Sequence, residues 1–86
     1  MNVQPIFRAD IERNSREEVR VVLEGIGTRF TVDVRVWADA KFGTVCSRVP
    51  TKAGASIDAR RIPDLIAALE GARLEAERLG LLEETR

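Results

Sequence analysis

The residues with the most chemical promise sit on one alternating stretch. In Arg29-Phe30-Thr31-Val32-Asp33-Val34-Arg35-Val36-Trp37, extended chain puts Arg29, Thr31, Asp33, Arg35 and Trp37 on one side and Phe30, Val32, Val34 and Val36 on the other. Two arginines on a solvent-facing strand would by themselves only supply its polar residues. A tryptophan beside them adds a flat aromatic surface next to phosphate-binding cations, which is the chemistry that holds unpaired nucleotides. The competing reading is that Trp37 covers the edge of the core at the strand end. If neighbouring hairpins pair in simple register, Arg20 and Arg48 join the same surface, and Lys41 and Lys52 flank it from connecting segments. The candidate nucleic-acid-binding set is Arg20, Arg29, Arg35, Trp37, Lys41, Arg48 and Lys52.

Other chemistries find little support. There is no histidine, so a Ser/His/Asp triad, a histidine proton shuttle and a histidine-ligated metal are excluded. The single cysteine, Cys46, can form neither an intrachain disulfide nor a Cys-only zinc site, and it reads as a small apolar filler between Val45 and Ser47. Gly25-Ile26-Gly27 lacks the third glycine of a dinucleotide loop and no helix follows it, so it reads as a hairpin turn. Glu70, Glu77 and Glu84 recur every seven residues as the solvated face of a helix, with no activated partner beside them. The expectation is a non-enzymatic chain with no metal and no cofactor.

The elements that must position the candidate set follow from periodicity. Eighty-six residues make one domain with a thin core. Residues 1–18 mix polar residues with isolated apolar ones and are expected to be a flexible N-terminal arm. A helical turn carried by Phe7 and Ile11 is the alternative. Residues 19–82 form the folded unit and 83–86 a charged tail. Within the unit, 19–24 is β-branched and predicts a first strand, and 29–37 predicts a second. Residues 38–43 suit a hairpin loop, 44–49 a third strand stopped by Pro50, 50–54 a bend, and 55–57 a short fourth strand ending at Asp58, a good N-cap. Ile62, Leu65, Ile66, Leu69, Ala72, Ala76 and Leu79 then form an apolar helical stripe that Gly80 is placed to end. Pro63 would crowd the carbonyl of Ala59 in a helix begun at Asp58, so either a short turn precedes a helix starting near Ile62 or the first turn is distorted. The fold class is α+β: a four-stranded curved antiparallel sheet followed by one long C-terminal helix, ββββα. The Phe30 to Val36 side is expected to pack on that helix.

Net charge is zero, yet it is segregated along the chain. Residues 19–61 carry eight basic against four acidic side chains, and 62–86 carry three against six. The stripe, together with Leu79, Leu81 and Leu82, offers more apolar surface than one sheet face needs, which predicts a homodimer formed through the C-terminal helix. No apolar run is long enough to span a bilayer and no secretory signal core is visible, so a cytoplasmic location away from membranes is expected.

The ordered combination of these pieces resembles the positive-cofactor-four family of transcriptional coactivators, a single-stranded-DNA-binding group with bacterial and phage members. The resemblance is carried by Val32-Asp33-Val34-Arg35-Val36-Trp37, by Pro50-Thr51-Lys52-Ala53-Gly54-Ala55-Ser56-Ile57, and by Ile62 with Leu65-Ile66-Ala67-Ala68-Leu69, across roughly residues 18–79. It implies helices paired across a two-fold dimer, single-stranded or melted DNA bound over the sheets with little sequence preference, and roles beside transcription or replication machinery. By position it implies binding roles for Arg29, Arg35, Trp37 and Lys52. Two departures stand out: Lys52-Ala53 where the family usually has two basic residues, and Ile26 where it often has an aromatic. Nothing in the chain separates DNA from RNA, and a protein-interaction or scaffold dimer that keeps the fold without DNA binding is the other reading.

Overall fold

The computed structural model describes residues 4–82. Four strands form one antiparallel meander, β1 (Gln4–Asn14), β2 (Glu17–Ile26), β3 (Arg29–Phe42) and β4 (Val45–Asp58), hydrogen-bonded in that order. A single turn of 3-10 helix, Ala59–Arg61, leads into helix α1 (Ile62–Arg78). The ββββα order is the one expected, but two of its strands are differently placed.

The first correction concerns residues 1–18. Their described part is β1, the turn at 15–16 and the first two residues of β2, and β1 pairs along its length with β2, Ile11 opposite Val19 and Asp10 opposite Arg20. The folded unit therefore begins before residue 19. Phe7, Ala9 and Ile11 alternate with Arg8, Asp10 and Glu12, so the segment has the two-residue period of a half-buried strand. The second correction concerns β4, which is one 14-residue strand where two short ones were expected. Pro50 does not stop it because β4 is an edge strand, where a missing N–H faces away from the ladder. The register with β3 shifts instead, from Gly54 opposite Arg35 to Pro50 opposite Trp37. Thr51 closes the gap by donating its hydroxyl to the Val36 carbonyl at 2.8 Å and accepting from the Ala53 N–H. Gly54 permits the close approach, since a Cβ there would lie 2.7 Å from the Arg35 Cα. The expected loop at 38–43 is likewise strand through Phe42, leaving a two-residue turn at Gly43 and Thr44. Residues 83–86, expected as a tail, lie outside the described residues.

The entry to the helix follows one of the two alternatives. The Asp58 carboxylate caps the 3-10 turn by accepting from the Arg60 N–H at 2.9 Å, and the Ile62 N–H takes the Ala59 carbonyl that Pro63 would otherwise crowd. Pro63 then sits in the first turn of α1, where no intrahelical N–H is needed. At the other end Gly80, at φ 75°, places the N–H groups of Gly80 and Leu81 on the carbonyls of Glu77 and Ala76 and closes the helix.

The apolar side of the sheet carries Phe7, Ile11, Val19, Val21, Leu23, Val32, Val34 and Ile57, and α1 turns Ile62, Leu65, Ile66 and Leu69 toward it. The two do not close on each other. They bound an open apolar cleft of 660 Å³, and among the described residues only Val32, at 5% exposure, is a buried apolar side chain. The chain exposes 7096 Å², where a folded monomer of this mass exposes about 5,100 Å².

Candidate nucleic-acid interface

The opposite side of the sheet is polar and held together by acid–base pairs. Because alternate residues of a strand share a face, a carboxylate two residues from an arginine can grip it without leaving its strand. Three strands do this. On β1, Arg8 makes a bidentate contact with Asp10, at 2.9 and 2.7 Å. On β2, Arg20 pairs with Glu18. On β3, Arg35 makes a bidentate contact with Asp33, at 3.1 and 3.0 Å, and donates a third bond to the Thr51 carbonyl at 3.0 Å. Arg20 and Arg35 are directly opposite in register, a like-charge pairing that would repel if each were not neutralised on its own strand.

Trp37 lies at the centre of this face, half-buried, with Glu18 opposite it on β2 and Pro50 opposite it on β4. The guanidinium of Arg20 covers its ring, with Cζ 3.9 Å from the centroid, a cation–π stack. The indole N–H is shielded and has no protein acceptor. Arg48 reaches back from β4 across the sheet, donating to Asp39 at 2.7 Å, to Glu18 at 2.8 Å and to the Ser15 carbonyl at 3.2 Å. The hydrogen bond from Arg8 holds the Asp10 carboxyl below the ordinary carboxylate range, and Asp39 followed by Glu18 holds the Arg48 guanidinium above its ordinary value.

The candidate residues thus fall into two groups. Arg20, Arg35, Trp37 and Arg48 converge on the polar face, as register arguments anticipated, but the three arginines are engaged by carboxylates and one face of the indole is already stacked. Arg29, Lys41 and Lys52 are exposed and make no ion pair among the described residues. Arg29 lies beside the β2–β3 turn, Lys41 near the tip of the β3–β4 hairpin opposite Cys46, and Lys52 on the bulge beside Trp37. They occupy separate stations around the face. The expected set did not include Arg8 and Glu18, nor the grip of Asp33 on Arg35, although the signal was present in opposite charges two apart on a strand. Cys46 is exposed rather than the apolar filler expected, because its strand projects past the end of β2, which begins opposite Ala38. No group of three or more metal-ligating side chains occurs among the described residues.

The fold has a close counterpart among solved structures. A PC4 homolog from Burkholderia pseudomallei superposes in its tetragonal crystal form with a TM-score of 0.68 at 26% identity, covering 84% of this chain and 98% of that one. Its orthorhombic form gives 0.66 at 27%, over 81% and 88%. The chain is PC4-like. PC4 abbreviates the positive-cofactor-four family named above, so the resemblance in short motifs and the similarity in three dimensions point the same way. No family model and no curated protein sequence matches the chain. In this PC4-like frame the polar sheet face and the apolar cleft are separate surfaces on opposite sides of one sheet, available for two different contacts. No helix among the described residues is long and apolar enough to cross a membrane.

Proposed function

We propose that the protein is a non-enzymatic, homodimeric single-stranded-DNA-binding protein of transcriptional-coactivator type. The observation that carries the binding reading is the Arg20–Trp37 stack on the polar sheet face, with Lys52 exposed on the adjoining bulge. An aromatic ring and cations gathered on a sheet are suited to bases and phosphates of a flexible strand. The PC4-like fold supports the same conclusion, because the family resemblance implies unpaired DNA as the ligand. The apolar cleft supports the dimer. A surface excess of about 2,000 Å² over the value for a compact monomer is what an obligate partner would cover. The second copy's helix is the natural occupant, since Ile66 and Leu69 are as apolar as the sheet they leave open.

A specific observation favours a second reading, a protein-interaction dimer without DNA binding: carboxylates already occupy Arg20, Arg35 and Arg48. Mobility shifts with matched single-stranded DNA, single-stranded RNA and duplex separate the cases. Preference for the unpaired DNA supports the proposal, preference for RNA makes the protein an RNA chaperone, and unchanged mobility for all three supports the scaffold.

A further inference from the structure

Glu18 occupies an unusual position on the polar face. Three arginines from three strands converge on its carboxylate: Arg20 on β2, Arg48 on β4 at 2.8 Å, and Arg8 on β1 at 3.9 Å. The Glu18 side chain is 15% exposed and that of Arg20 14%, so this pair is partly shielded from salt, whereas Arg48 and Arg8 reach it from more open positions. Glu12 stands directly opposite it on β1 and Trp37 directly opposite on β3. Glu12 brings a like charge across the ladder, and the three guanidinium groups around Glu18 offset it. The position supplies a negative, two-oxygen acceptor held in a cluster of guanidinium groups beside an indole. A phosphate group has the same sign and the same fork-matching geometry.

We infer that Glu18 is a built-in occupant of a phosphate-recognising arginine cluster, which a phosphate of the bound strand must displace. The inference rests on the nucleic-acid reading and gives that reading a control. Tethered in place, the carboxylate competes at high effective concentration, so single phosphates are rejected and only a ligand that brings many phosphates and a stacking base can win. Arg20 is the residue most directly released, because Glu18 is its one ion-pair partner among the described residues; Arg48 keeps Asp39.

The test uses the whole chain, with Glu18→Gln and, in parallel, Glu18→Ala, so that a folding failure of one variant does not silence it. Trp37 is the sole tryptophan, and its fluorescence reports on this cluster alone. Two probes are titrated, inorganic pyrophosphate and an unstructured thymidine 20-mer. The expected result is a saturable fluorescence change with pyrophosphate in a folded Glu18 variant and none in the wild type. The same variant should bind the 20-mer about tenfold tighter, with a log–log salt slope steeper by about 0.7, one more phosphate neutralised. A pyrophosphate response absent from both folded variants, or equal in the wild type, overturns the inference. If neither wild type nor variant binds the 20-mer, the proposed function fails. The pyrophosphate arm still decides the role of Glu18.

Discussion

Arg20 stacks on Trp37 with its guanidinium carbon 3.9 Å from the centre of the indole ring. The contact joins neighbouring strands diagonally, from β2 to β3, and leaves the guanidinium edge facing Glu18. A single pair therefore couples the aromatic surface to the charge network. A base can use the indole only where Arg20 moves aside or stays stacked on the far side of the ring.

Trp37→Ala removes the ring that both a base and Arg20 would use. Loss of one base stack is worth about 1 to 3 kcal/mol, roughly 5- to 150-fold in affinity. Anisotropy with an unstructured oligonucleotide measures the loss, and sedimentation checks that the oligomeric state is unchanged.

The basic residues should divide by their partners. Lys52→Ala and Arg29→Ala remove cations that have no ion-pair partner among the described residues, and each should make the salt dependence of binding shallower by about 0.7 in log–log slope with little change in melting temperature. Arg35→Ala should lower the melting temperature, because the Arg35 side chain bonds both Asp33 oxygens and the Thr51 carbonyl that fixes the β4 bulge. Equal melting temperatures for all three variants would contradict this division.

This division shows where sequence was informative. The nine-residue alternation at 29–37 and the helical stripe from Ile62 declare their elements, because each has a period that only one backbone geometry satisfies. Phe7 and Ile11 are four apart, a spacing that fits a helical turn as well as a strand, and Ala9 between them is too small to settle it. Pro50 reads as a stop unless the strand is known to lie at a sheet edge, which is a fact of topology. The candidate face was legible as a set of residue types. Its neutralisation was not, because Arg48 meets Glu18 across thirty residues of chain.

Leu69→Asp puts a charge into the apolar cleft while leaving the helix backbone intact. If the cleft is where a second copy docks, the variant should sediment as a monomer at tens of micromolar or unfold. A wild-type protein that is itself monomeric under those conditions would remove the dimer from the proposal.

The Asp58 carboxyl is lowered to about 2, first by the Arg60 guanidinium and then by the Arg60 backbone N–H. A folded value depressed below the ordinary 3.8 gives stabilisation that is complete above that value and is lost as pH falls toward 2. Asp58→Ala should therefore melt lower than wild type by a constant margin above about pH 4, with the gap narrowing below it. Thermal melts between pH 2 and 7 follow the difference, and a gap that widens on acidification would contradict the capping assignment.

Binding of unpaired DNA by the polar sheet face is measured most directly by an anisotropy titration of the wild-type chain with an unstructured oligonucleotide at about 50 and about 200 mM salt. Binding in the micromolar range or tighter is expected at the lower salt, weakening by about an order of magnitude or more at the higher as phosphate contacts are lost. No binding at tens of micromolar protein in low salt would contradict it.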